Sequence, residues 1–122
     1  PLSKKLIILL QPLLAPQTMT SRFKLPHQQH IDYVYPPGSS PGVIYFCGFN
    51  SDKNSSKALA VEQFCQEWHQ AFIRFDYRGL GESSGNFIDF TLSDWLQDAL
   101  TVLEHLTQGP QIIVGSSMGG WI

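Results

Sequence analysis

The 122 residues are 43% hydrophobic and 15% charged, the proportions of an ordinary domain and enough chain to bury a core. A net charge of −2 offers no electrostatic attraction to nucleic acid or to an anionic membrane surface. No run approaches the about 18 consecutive apolar residues that a membrane span needs.

The chain starts at Pro1 and stops at Ile122, inside what reads as a helix start. The expectation is therefore the N-terminal part of a longer protein. Residues 1–30 read as an N-terminal extension and residues 31–122 as the N-terminal part of one α/β domain. Within the extension, Lys4 and Lys5 precede an apolar run from Leu6 to Leu14 that Gln11 and Pro12 interrupt. Three readings stay open for it: a targeting segment, a first strand, or sequence upstream of a start at Met19.

Ile31 to Tyr35 is the first strand expected. The turn cluster Pro36-Pro37-Gly38-Ser39-Ser40-Pro41-Gly42 separates it from Val43-Ile44-Tyr45-Phe46-Cys47, a continuous apolar run suited to a strand covered on both faces. A polar loop from Gly48 to Ser56 follows. Ala58, Val61, Cys65 and Trp68, with Phe64 beside them, set a helical stripe that Ser55 or Ser56 caps. Phe72 to Asp76 is a third strand, and Tyr77 to Phe90 a glycine-rich loop. Leu92, Trp95, Leu96, Ala99, Leu103 and Leu106 form the stripe of a second helix, capped by Thr91 with Asp94 three residues on and ended by Gly109-Pro110. Gln111 to Gly115 is a fourth strand, and Gly119-Gly120-Trp121 enters another helix. Strands alternating with helices of this length imply parallel crossovers, hence an α/β fold with a mostly parallel sheet and helices on both faces. Ligands of such sheets bind beyond the carboxyl ends of the strands, where the loops after Cys47, Asp76 and Gly115 lie. Cys47 and Cys65 are too few for a disulfide framework and lack metal-binding spacing. They read as reduced, buried thiols of an intracellular protein.

Gly115-Ser116-Ser117-Met118-Gly119 fits G-x-S-x-G with Ser117 at its centre. A serine on a sharp strand-to-helix turn is exposed above the sheet, and Gly115 and Gly119 let the neighbouring backbone approach. Three fixed residues are a weak signal alone. The Gln-Ile-Ile-Val run before them and the helix start after them supply the context that the motif requires. Ser117 is the expected nucleophile; Ser116 lacks the flanking glycines. The alternative is a Ser/Gly turn without chemistry. The expected oxyanion hole comprises the backbone amides of Met118 and of Phe49, the latter in the loop after the second strand where Gly48 allows close approach. No metal or cofactor is implied.

Gly79, Gly81 and Gly85 invite a dinucleotide-phosphate reading, but no helix opens directly behind them. A loop that braces the site is favoured, with Asp76 and Arg78 pairing together or bonding to backbone. His27 and His30 lie in a polar segment before the first strand. His69 and His105 lie at helix C-termini, so no histidine stands at the expected active edge. In this architecture the triad runs Ser, then Asp or Glu, then His. Five residues follow Ser117, so the acid and histidine are expected outside this chain and the 122 residues alone are expected to be inactive.

Phe75-Asp76-Tyr77-Arg78-Gly79-Leu80-Gly81-Glu82-Ser83 resembles the D-x-R-G-x-G-x-S loop of α/β-hydrolases. More narrowly, residues 40–44, 56–62, 73–77 and 109–121 resemble the palmitoyl-protein thioesterase and acyl-glucuronide esterase branch of the abhydrolase-domain family and its bacterial relatives. The resemblance spans about residues 31 to 122. It implies the N-terminal half of an α/β-hydrolase fold, Ser117 as nucleophile, and an acyl thioester or carboxylic ester, small or protein-borne, as substrate. It implies a mitochondrial location in a eukaryote, against a cytoplasmic one in a bacterium; secretion is not expected. Residues 1–30 are poor in Arg and do not match a mitochondrial leader clearly. A non-catalytic binding protein of the same fold is the alternative.

Overall fold

The computed structural model describes residues 19–122. The apolar segment from Leu6 to Leu14, with its three readings, lies outside them. The elements in chain order are β1 (Ser21–Lys24), β2 (His30–Val34), β3 (Ser39–Phe46), α1 (Ser56–Glu67), β4 (Gln70–Phe75), α2 (Leu92–Leu106), β5 (Gln111–Gly115) and α3 (Met118–Trp121). A single 3-10 turn, Phe87–Asp89, precedes α2.

Five strands form one sheet in the order β1-β2-β4-β3-β5. β3 pairs in parallel with both β4 and β5, through Ile44 opposite Ile73 and Ile113 respectively. β2 runs antiparallel to β4 and to β1. The sheet is thus the mixed, mainly parallel one expected. The carboxyl ends of β3, β4 and β5 share one edge. Val43 through Cys47 are all buried, as a strand covered on both faces requires. Around them Ile31, Phe72, Ile73, Phe75, Ala58, Cys65, Trp95, Ala99 and Val102 build the core.

The structure departs from the sequence reading at the first strands and in the faces that the two long helices bury. Ser21–Lys24, assigned to the N-terminal extension, is strand β1, and His30 opens β2 rather than preceding the first strand. The connecting turn places His27 and Gln28 at φ 60° each, a left-handed pair usually supplied by Asn and Gly, so nothing in the residue types announces it.

The buried face of α1 is Ala58, Glu62 and Cys65. Glu62 turns inward because Arg74 on β4 donates to it at 2.8 Å. Phe64 and Trp68, expected in the apolar stripe, pack on each other at the surface, with ring centroids 6.3 Å apart. α2 is rotated similarly: it buries Trp95, Asp98, Ala99 and Val102, while Leu92 and Leu96 are exposed. The helix caps follow expectation. Ser55 accepts from the Ala58 amide, and Thr91 and Asp94 form a reciprocal capping box.

Candidate active site

Ser117 stands between β5 and α3 with φ 53° and ψ −117°. A positive φ is unfavourable for a residue with a Cβ, so the surrounding backbone must impose it. Two hydrogen bonds brace the turn: Gly119 N–H donates to Ser116 O and Gly120 N–H to Ser117 O, each at 2.9 Å. Ser116 N–H donates to Phe46 O at 3.1 Å, which ties the turn to the end of β3. The two flanking glycines are required sterically. A Cβ at Gly119 would overlap the carbonyl of Phe46, and one at Gly115 would lie 2.6 Å from the Gly119 backbone. The strand, the strained turn and the following helix are the arrangement that the pentapeptide predicts.

Gly48, at the end of β3, lies against this turn: its missing Cβ would sit 3.5 Å from Ser117 Cβ. A cleft of about 270 Å³ opens between them, lined by Gly48, Phe49, Ser55, Lys57, Ser116 and Ser117 among others. The backbone N–H groups of Phe49, which lines the cleft, and of Met118, which follows Ser117, donate to no other group among the described residues. Met118 opens α3, where first-turn amides have no partner within the helix. Unengaged amides are the kind of donor that a developing oxyanion needs. Lys57, on the first turn of α1, donates to Ser116 Oγ at 3.3 Å. Lys57 carries no motif signal of its own, and the helical pattern marks it only as a polar position.

The loop after β4 packs through the second of the two expected arrangements, bonding to backbone, together with side-chain partners that were not expected. Asp76 and Arg78 do not pair together. Asp76 is buried and accepts three bonds: Lys53 N–H at 2.7 Å, Lys53 Nζ at 2.8 Å and Glu82 N–H at 2.9 Å. Arg78 instead donates to Asp98 on α2 through Nε at 2.7 Å and its backbone N–H at 2.9 Å. Burial pushes the Asp98 carboxyl above its ordinary range, against the opposing pull of Arg78. Gly81 has φ +52° and packs on Asp76, where a side chain would collide with the carboxylate. The glycines are followed by the 3-10 turn and by α2 only at Leu92, so no helix N-terminus stands behind them to hold a phosphate.

Lys53 was missed altogether, since a lysine in a polar loop reads as solvated. Its side chain is 1% exposed. Burial lowers its affinity for the proton, but bonds to Asp76 and Glu82 outweigh this and hold the ammonium above its ordinary value.

Cys47 and Cys65 are both free and buried. Burial pushes the Cys47 thiol up to about 12, which leaves it protonated and unreactive at neutral pH. The four histidines stay away from the cleft. His30 Nε2 lies 3.0 Å from Glu82 O, and His105 stacks on Phe23 at 5.6 Å. His27 and His69 occupy turns at φ 60° and 54°. None of them lines the cleft at Ser117.

A mainly parallel sheet with a strained serine at the end of its edge strand defines an α/β-hydrolase. The family described as alpha/beta hydrolase fold matches residues 41–122, and the chain belongs to it. Among particular proteins, it is 44% identical over 106 residues to the mitochondrial palmitoyl-protein thioesterase ABHD10 of Homo sapiens, covering 87% of this chain and 35% of that protein. The Bos taurus protein of the same name is 43% identical over 106 residues, with the same coverage. The chain thus spans about a third of the length of these curated relatives. The solved alpha/beta hydrolase domain-containing protein 10 from mouse superposes with a TM-score of 0.83 at 42% identity, over 85% of this chain and 42% of that one. A hydrolase from Agrobacterium vitis superposes at 0.76 with 35% identity, over 88% of this chain and 43% of that one.

Proposed function

We propose that this chain carries the nucleophile and oxyanion hole of a serine hydrolase acting on acyl thioesters or carboxylic esters. The observation that carries the reading is Ser117 at φ 53° between β5 and α3, in a cleft that Phe49 also lines, with the Phe49 and Met118 amides unengaged. Ser117 Oγ attacks the acyl carbonyl carbon. The carbonyl π electrons move onto oxygen, where the Phe49 and Met118 amides stabilise the charge. A histidine accepts the hydroxyl proton and returns it to the departing alcohol or thiol, leaving an acyl-enzyme that water cleaves. That histidine and its orienting acid are expected C-terminal to Ile122. No cofactor takes part in this scheme.

The relatives named as palmitoyl-protein thioesterases support the thioester as substrate, and their mitochondrial naming supports a mitochondrial location in a eukaryotic source. The substrate is an acylated protein or a small acyl ester. Nucleic acid has no part in the reading. Among the described residues no helix is long and apolar enough to cross a membrane.

The test is hydrolysis of matched p-nitrophenyl esters and acyl thioesters by the full-length protein that contains this chain. Ser117→Ala is expected to lower kcat by about 10⁴-fold or more, by analogy with the removal of other serine nucleophiles. Turnover that survives this substitution overturns Ser117 as the nucleophile, and a parent protein without turnover leaves a non-catalytic binding protein of the same fold.

A further inference from the structure

The loop that carries Phe49 is fastened from beneath by a charged network that the reaction itself does not use. Lys53, four residues beyond Phe49, is bound twice to Asp76: its backbone N–H donates to Oδ1 at 2.7 Å and its ammonium to Oδ2 at 2.8 Å. The same ammonium donates to Glu82 Oε1 at 2.9 Å. On the other side, Arg74 Nη1 donates to Lys53 O at 3.0 Å and to Asn54 Oδ1 at 2.8 Å. Arg74 lies at the end of β4 and Asp76 directly follows that strand, so one residue of the loop is held by its N–H, its C=O and its side chain to the sheet edge. Ser51 N–H donates to Gly48 O at 3.2 Å, which closes the turn between this anchor and Phe49. At the far end, the Phe49 ring lies edge-on to Phe87 at 5.4 Å, although Phe49 itself is largely exposed.

A buried ammonium is costly unless fully paired, so a lysine at this point is a demanding way to close a loop. Surface loops of similar length are ordinarily held by turn residues alone. The geometry points to Lys53 as a positioning residue for the oxyanion hole: it sets where the Phe49 amide stands relative to Ser117. This rests on the reading of Ser117 and Phe49 given above. Lys53 touches no reacting atom. It acts through the Gly48–Phe49 backbone, whose placement must hold to a fraction of an ångström for the amide to meet the oxyanion.

The experiment uses the full-length protein that contains this chain with a pair of substrates, an ester and its thionoester, in which sulfur replaces the carbonyl oxygen. Sulfur is larger and accepts hydrogen bonds weakly, so the rate ratio between the two reads the oxyanion donors. Lys53→Met is expected to lower kcat for the ester by about ten- to a hundredfold with KM within about twofold, and to narrow the ester-to-thionoester ratio. Lys53→Arg is expected to restore most of both. A merely structural lysine would lower the melting temperature and leave kcat and the ratio unchanged at temperatures where the variant is folded; that result overturns the proposal. Should Lys53→Met fail to fold, Glu82→Gln decides instead, because Glu82 is exposed. It is expected to lower kcat about two- to fivefold and to narrow the ratio, and an unchanged ratio overturns the proposal. Loss of the underlying reading shows separately, as parental turnover indifferent to Ser117→Ala, and it removes the proposal as well.

Discussion

At the scale of single residues, the region around Ser117 is governed by charges placed where the sequence pattern shows none. Lys53 lies in a stretch of Ser, Asp and Asn that reads as solvated loop, yet the fold buries it against Asp76. Its two carboxylate partners give stability a pH signature. The Lys53 bond pulls the Glu82 carboxyl below its ordinary range, so the folded state holds that proton more weakly than the unfolded chain does. Glu82 therefore contributes stability that is present above the ordinary carboxylate range and is lost as pH falls through its lowered value. Lys53 is shifted upward, so its contribution is present below the ordinary lysine range and is lost as pH rises through its raised value. The urea midpoint of the parent is expected to exceed that of Glu82→Gln at neutral pH and to converge with it in acid. A difference that persists below the carboxylate range would contradict the assignment. Ser117 is a different case. Its glycines and its strand-to-helix setting were legible because the steric demand of the turn is written into residue types at fixed spacing.

At the scale of elements, helix and strand identity could be read from periodicity, but the face each helix turns inward could not. The apolar stripe of α2 predicted Leu92 and Leu96 inside; the structure leaves them exposed and buries Asp98. The reason is a polar contact between distant segments: Arg78 reaches across to Asp98, and Trp95 Nε1 donates to Arg78 O at 2.9 Å. Glu62 on α1 repeats the pattern with Arg74. Such partners lie 12 and 20 residues apart, beyond any helical repeat. Arg78→Ala should leave Asp98 buried without its cation. A loss of about 2–4 kcal/mol is expected in chemical denaturation at neutral pH, somewhat under the usual range for breaking a buried pair because Arg78 is partly exposed. Asp98 already binds its proton more readily than an ordinary carboxyl, and protonated it needs no cation. The deficit should therefore shrink as pH falls into the carboxylate range, and a deficit independent of pH would count against this pairing.

At the scale of the whole molecule, the parallel β3, β4 and β5 bring three loops to one edge: the Phe49 loop, the Asp76–Glu82 loop and the Ser117 turn. This much was legible, because alternating strands and helices of these lengths admit few topologies. Strand β1 was not. Its sequence, Ser-Arg-Phe-Lys, carries one apolar residue, and it exists by pairing with β2 across a turn without glycine or asparagine. Loops gathered at the carboxyl edge of a parallel sheet place a nucleophile and its oxyanion donors on separate elements. Their relative position is thus set by the sheet and by the bracing beneath it.

The central claim is that Ser117, and not its neighbour Ser116, is the activated nucleophile. It is tested most directly by treating the full-length protein that contains this chain with a fluorophosphonate and locating the adduct by mass spectrometry, in the parent and in the Ser117→Ala and Ser116→Ala variants. One phosphonylated residue, Ser117, is expected, with labelling abolished by Ser117→Ala and retained in Ser116→Ala. An adduct on Ser116, or labelling that survives Ser117→Ala, would contradict it.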